Sequence, residues 1–390
     1  MRIIPEIQAN HADMVRWRHD LHAHPELAFE ERRTADFVAA CLEEWGLDVD
    51  RGLARTGVVG TLSRGSGKTV GLRADMDALP MQEANEFDYR SSYPGKMHAC
   101  GHDGHTTMLL GAARYLAAKP DFSGTIHFIF QPAEEAAGGA KVMLDEGLFE
   151  RFDVDAVFGM HNWPGLPAGY FAMRRGAMMA SLDCFDIRIL GRGAHGALPH
   201  LGIDPIFAAA QVVSAVQGIV SRNVDPLRSA VISITKIHAG DAHNIIPETL
   251  DMGGGLRCFD PALREQLKSR LGEVVAATAQ AAGAGSAIEF VSGYPPVMND
   301  AASTELAARV AAEIVGRDKV NDQSEPVLGS EDFAFLLEQR PGCYVFIGNG
   351  TEAGGCMIHN PHYDFNDGIL ALGASYWVRL AQAFLRPGAA

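Results

Sequence analysis

Apolar segments of two periodicities alternate along most of this chain, and that alternation constrains its fold more than any other feature. Strand-like runs lie at 57–62, 69–74, 124–131 and 155–161. Helical spacing places Phe37, Val38, Cys41, Leu42 and Trp45 on one face, closed by Gly46, and returns near 104–118. Such a pattern predicts an α/β fold, with a sheet flanked by helices on both faces. From residue 183 the order changes. A strand (183–190), a helix (204–221), two strands (230–238 and 249–258), a helix (261–283) and a strand (286–292) give β-α-β-β-α-β, the ferredoxin-like order. After Pro295-Pro296 the alternation resumes, with helices near 302–316, 331–339 and 368–385 and a strand at 343–347. The expectation is one α/β domain in two segments, 1–182 and 295–390, with a self-contained insertion at 183–294. Three domains in series is the alternative.

Composition excludes several classes of function. With 47% hydrophobic and 21% charged residues, the 390-residue chain is that of a globular protein. Lys and Arg number 33 against 48 Asp and Glu, a formal net charge of −15. That surplus argues against nucleic acid and anionic membranes as partners. The longest apolar stretch, Pro205 to Val220, carries two Gln and a Ser and reads as a buried amphipathic helix rather than a membrane span. Met1 to Asn10 lacks the basic-then-apolar pattern of a signal peptide, so a cytoplasmic location is expected. Six cysteines are scattered without disulfide spacing, and read as free thiols or metal ligands.

The 15 histidines cluster. The densest stretch is His98-Ala99-Cys100-Gly101-His102-Asp103-Gly104-His105. A thiol and an imidazole two residues apart in extended backbone face one side, and both ligate borderline metal ions. Glu134 and Glu135 follow the strand 124–131, at the strand end where α/β proteins keep their ligands. Two adjacent acids repel, and a cation that binds one and leaves the other as a base explains both. A solvated helix start is the alternative. His161 closes the run 155–160, and His359 and His362 follow the Gly354-Gly355 turn. For His161 the plainer reading is a half-buried histidine bonded to backbone; of the last pair, one could be a ligand and the other surface. Cys100, His102, Glu135, His161 and His359 together supply five donors. That exceeds the four of a closed structural zinc site and suits two ions sharing a ligand.

These motifs resemble the metal-dependent amidohydrolases and peptidases that include aminoacylase, hippurate hydrolase, auxin-conjugate hydrolases and related carboxypeptidases. The resemblance is closest to the hippurate-hydrolase and auxin-amide branch. It is carried by Arg73 to Pro80, His98 to His105, Gln131 to Glu135, Gly159 to Asn162, Gly193 to His200, Asn244 to Glu248, Gly329 to Phe333 and His359 to Pro361. It implies a dinuclear site of zinc, manganese, cobalt or nickel, held by Cys100, His102, Glu135, His161 and His359, with Glu134 as general base. It makes Asp77 an orienting acid and the insertion a lid and dimerisation domain, in a homodimer or dimer of dimers. His195 would hold the oxyanion in a neighbouring subunit's site, its alternative being an ordinary loop histidine. Asn244 and Arg257 would bind the carboxylate of an N-acyl amino acid, although Arg257 could equally form a solvated ion pair. The wider family usually has His-x-Asp where this chain has Asp75-Met76-Asp77, and Asp at Cys100; the hippurate-hydrolase branch shares both departures. The implied reaction is amide hydrolysis. A dipeptidase or aminopeptidase of the same fold, and a non-catalytic metal-dependent binding protein, are the alternatives.

Overall fold

Four strands of this chain are apolar almost throughout because they lie parallel in the middle of a covered sheet. In the computed structural model, which describes residues 1–351 and 355–386, these are Gly124–Gln131, Thr69–Asp75, Ala156–Pro164 and Gly342–Gly350. All nine residues of Gly342–Gly350 are buried. Gly354 of the expected turn lies outside the described residues.

The chain divides into two compact units: Met1–Gly176 with Met298–Glu325 and the described residues from Asp332 on, and Ala177–Val297 with Pro326–Glu331. The first holds an eight-stranded mixed sheet in the order Asp48–Leu53, Gly57–Arg64, Gly124–Gln131, Thr69–Asp75, Ala156–Pro164, Gly342–Gly350, Phe171–Ala172 and Val320–Asn321. The two outer strands on the Asp48 side run antiparallel to their neighbours. The expected α/β sheet with flanking helices is therefore present. Helices His102–Ala118 and Leu370–Phe384 supply much of the core. The strand 48–53 was not anticipated, because its exposed Asp48, Arg51 and Gly52 break the apolar signal. The strand at His161 runs on to Pro164, so the histidine lies within the strand.

The second unit holds a four-stranded antiparallel sheet with Thr249–Cys258 and Leu182–Leu190 in the middle and Ala230–His238 and Gly285–Tyr294 at its edges. Helices Pro205–Asn223 and Pro261–Ala281 share a core with it. Each helix starts at an aspartate followed by proline. Asp204 accepts from Ile206 N and Phe207 N, and Asp260 from Leu263 N. At Gly254 a β-carbon would strike the Ser233 carbonyl, beside a register shift between Ile234 and Lys236. Gly253 and Gly254 thus allow close approach opposite a bulge in the neighbouring strand Ala230–His238. No helix among the described residues is long and apolar enough to cross a membrane.

A buried ionic cluster anchors the first turn of His102–Ala118. Asp103 Oδ2 lies 2.8 Å from His22 Nδ1, and His22 Nε2 lies 3.1 Å from Glu83. Arg18 bonds Asp364 and Asp367 at 2.7–3.0 Å. Burial pulls the His22 imidazole down, but the two carboxylates outweigh it and raise its pKa from 6.5 to about 9. A pKa raised on folding stabilises fully below the unfolded value and is lost as pH rises through the folded one. Thermal stability is therefore expected to fall between pH 6.5 and about 9, and His22→Gln is expected to flatten that fall. Unfolding midpoints of both proteins across this window check it; parallel curves would refute the charged His22.

Candidate metal centre

Parallel strands end together, and here their C-terminal ends bring the chemistry into one place. Asp75 pairs in register with Gln131, and His161 with Phe346 of the neighbouring strand. Gly101, at φ 95°, turns the chain into the helix whose first residue is His102. A β-carbon there would strike Asn162 Oδ1 and the Tyr363 hydroxyl, so the turn needs glycine. Thr106 Oγ1 donates to the Asp75 carbonyl at 2.9 Å and pins the helix to the strand end. His359 is far along the chain, yet its N–H donates to Ala99 O at 2.7 Å, which sets it beside Cys100.

Cys100, His102 and His161 each turn a donor atom to within 4.8 Å of the others, and so do Cys100, Glu135 and His359. The two triads share the thiol. Cys100 Sγ lies 3.3 Å from His161 Nε2, whose ring Nδ1 donates to Asn162 O at 2.6 Å. That bond leaves the Nε2 lone pair facing the sulfur. Glu135 Oε2 is 3.4 Å from His359 Nε2, and Oε1 is 3.8 Å from His102 Nε2. All five expected ligands thus converge. His359 is half exposed and the others are buried or nearly so. His362 is exposed and belongs to neither triad.

Several observations fit divalent cations here. His102 Nε2 and Glu135 Oε1 are buried without a hydrogen-bond partner, a costly arrangement unless something else binds them. The surroundings are strongly acidic. Burial lowers the His102 pKa, but Asp75, Asp77 and Glu135 overcome this and lift it to about 10. Burial and the charges of Glu135, Glu134 and Asp75 push the Cys100 thiol well above its usual range. A nearby cation reverses that preference and makes the thiolate a ligand. The donor set of one sulfur, three imidazoles and a carboxylate suits borderline metal ions.

Asp77 is wholly enclosed. Its two oxygens accept the backbone N–H groups of Glu134 and Glu135, each at 3.0 Å, and Oδ1 lies 3.3 Å from His102 Nδ1. One carboxylate thereby holds the turn of the two acids and the orientation of a candidate ligand ring. Glu134, 7% exposed, has a carboxylate oxygen within 4.8 Å of the ligand atoms of His102 and Glu135.

The pattern of peptidase family M20/M25/M40 matches residues 71–383. The chain is 44% identical to the hippurate hydrolase of Campylobacter jejuni, over 99% of this chain and all of the relative. It is 40% identical to the IAA-amino acid hydrolase ILR1-like 4 of Arabidopsis thaliana, over 95% of this chain and 86% of that one. The crystal structure of a dinuclear metal binding M20 peptidase from Bacillus subtilis superposes with a TM-score of 0.84, at 35% identity, covering 97% of this chain and 99% of that one. The chain belongs to peptidase family M20/M25/M40. As a member of the M20 family it is a metallo-amidohydrolase that works with divalent metal ions.

The remaining expected site residues lie in the second unit. Short strands Ala194–His195 and Ile245–Ile246 pair, with His195 opposite Ile245, and Gly196 N donates to Asn244 O at 2.8 Å. His195 and Asn244 are therefore neighbours. His195 Nδ1 accepts from Ala197 N at 3.0 Å, which places the ring proton on the exposed Nε2. Arg257 Nη1 donates to Leu328 O at 2.7 Å, and no carboxylate among the described residues pairs with it. Burial lowers its pKa.

The sequence reading missed the layer beneath the ligands. His105 Nδ1 meets Asp75 Oδ1 at 2.6 Å, and Arg73 bonds Asp75, Gln131 and Asp332 at 2.7–2.9 Å. Two signals were available. Arg73 interrupts an apolar strand, and His105 lies three residues from His102 on the same helix face.

Proposed function

We propose that this chain hydrolyses the amide bond of N-acyl amino acids, of hippurate, N-acetyl or auxin-conjugate type, with Glu134 as general base. The observation that carries this is the pair of donor triads sharing Cys100, with buried Glu134 beside them. Hippurate hydrolase and IAA-amino acid hydrolase, the relatives described above, support the substrate class.

In this reading Cys100, His102, Glu135, His161 and His359 hold two divalent ions, zinc, manganese, cobalt or nickel, with the thiolate favouring the softer ones. Bound there, such ions supply Lewis acidity and lower the pKa of water to about 7. Glu134 takes a proton from the attacking water as its oxygen adds to the amide carbonyl. The same carboxyl returns that proton to the leaving nitrogen, the C–N bond breaks, and a carboxylate and an amino acid depart. Asp77 keeps Glu134, Glu135 and His102 in place. The exposed Nε2–H of His195 is a donor for the developing oxyanion in a neighbouring subunit, with the second unit as lid and dimerisation surface. Arg257, which pairs with no carboxylate among the described residues, and Asn244 receive the substrate carboxylate.

Purified protein is expected to cleave N-acyl amino acids in a panel that also contains auxin conjugates and dipeptides, and to lose activity on chelation. Glu134→Gln should retain its metal while kcat falls on the order of 10²–10⁴-fold. A metal-loaded, active Gln variant would remove Glu134 as the base. His195→Ala is expected to cost about 10²–10³-fold in kcat. Mixed with Glu134→Gln, it should regain part of that activity through hybrid dimers; no recovery counts against a shared site. Arg257→Ala should raise KM about tenfold or more with little change in kcat, since it removes binding common to ground and transition states. Steady-state kinetics on the best substrate decide that point.

A further inference from the structure

Among the described residues, five other than glycine have positive φ: Phe29 (63°), Ala54 (50°), Arg55 (71°), Ala133 (58°) and His359 (61°). Two of them, Phe29 and Ala133, bond one buried carboxylate, Glu31, and Ala54 and Arg55 lead into Thr56, which bonds it as well. Its Oε1 accepts from Phe29 N at 3.0 Å and from Ala133 N at 2.9 Å. Its Oε2 accepts from Thr56 Oγ1 at 2.6 Å, and Thr56 N closes the Ala54–Arg55 turn on Ala54 O at 2.9 Å. The Arg55 guanidinium stands 4.8 Å over the Phe29 ring, tying two of the strained residues together. Left-handed conformation is unfavourable for residues with a β-carbon, and persists only where surrounding contacts enforce it.

Ala133 leads directly into Glu134 and Glu135, whose own N–H groups go to Asp77. Glu31 and Asp77 thus grip three consecutive backbone amides, at 133, 134 and 135. Asp77 accepts from residues already in the short helix Glu134–Ala137, whereas Glu31 holds the left-handed residue that aims it. We propose that Glu31 is a positioning residue that fixes the Ala133 turn, and through it sets the Glu135 ligand and the Glu134 carboxyl in register with the other donors. The inference rests on the metal centre and base assigned above. Glu31 touches neither substrate nor metal in this scheme.

Zinc affinity, measured by competition with a chromophoric chelator, provides a readout separate from turnover. Glu31→Ala is expected to weaken zinc binding at least tenfold and to lower kcat at saturating zinc on the order of 10²-fold, with KM little changed. Glu31→Gln keeps an amide oxygen for both N–H groups, lets the Thr56 hydroxyl act as acceptor, and should recover most of both quantities. In an Ala133→Gly background, where φ 58° carries no β-carbon penalty, the loss of zinc affinity caused by Glu31→Ala should shrink at least threefold. Equal losses in the two backgrounds overturn the proposal. So does a Glu31→Ala protein that melts earlier but keeps zinc affinity and kcat within twofold. If Glu31→Ala fails to fold, Glu31→Asp, one methylene shorter, takes its place in both backgrounds with the same criteria. A wild-type chain that binds zinc but cleaves no N-acyl amino acid would defeat the proposed function and leave the affinity comparison to decide on Glu31.

Discussion

Arg73 is the charge on which the rest of the first unit's chemistry leans. It is 1% exposed, in the middle of a sheet, and its guanidinium reaches Asp75, Gln131 and Asp332 at 2.7–2.9 Å. Asp332 also accepts from Gln131 Nε2 and Ala140 N at 2.8–2.9 Å. Buried carboxylates this close to Glu134 and Glu135 would otherwise repel one another in a medium that screens poorly. Arg73 answers the two of them that lie deepest. Its planar fork satisfies three acceptors at once, which a lysine ammonium at the end of a flexible stem could not match. Breaking such a buried pair costs about 3–5 kcal/mol, because the partner charge is left behind.

With Asp75 neutralised from below, its other oxygen is available to His105, and Asp77 is left to organise the backbone at 134–135. The acids at the strand ends divide into two classes by their partners. Asp75 and Asp332 are paired with a fixed cation. Glu135 reaches imidazoles at 3.4–3.8 Å and the Cys100 thiol, and keeps a buried oxygen without a hydrogen bond among the described residues. The protein has thus compensated the scaffold charges internally and left the remaining negative charge at the candidate metal centre.

Much of this was legible in the sequence because it depends on local pattern. Apolar runs placed the central strands, and the β-α-β-β-α-β run matches the order of elements along the second unit. The five candidate donors could be gathered because Cys, His and paired acids stand out against the apolar runs beside them. What could not be read is what acts over distance through backbone groups. Glu31 lies 102 residues from the amide of Ala133 that it accepts, and no periodicity links them. His359 was among the five donors, but the bond from its own N–H to Ala99 that sets it beside Cys100 is equally without a sequence signal. The edge strand 48–53 escaped because Asp48, Asp50 and Arg51 interrupt its apolar residues.

The resemblance drawn from the sequence implies two departures from the wider family, Asp75 for histidine and Cys100 for aspartate, and each residue can be read against its neighbours. An aspartate at 75 adds a negative charge to a buried acidic site, and it is tolerable because Arg73 and His105 both bond it. A thiol at 100 is neutral in the absence of a cation, since burial and three nearby acids oppose ionisation. An aspartate in that position would add further charge to a pocket already holding Glu134 and Glu135. The thiol therefore lets the site fold without another uncompensated carboxylate, and in the proposed centre it would become an anion when a cation binds beside it. In the proposed centre, replacing sulfur by carboxylate would remove that proton switch, so the donor at Cys100 would bear on the charge of the pocket as well as on the preference for a metal.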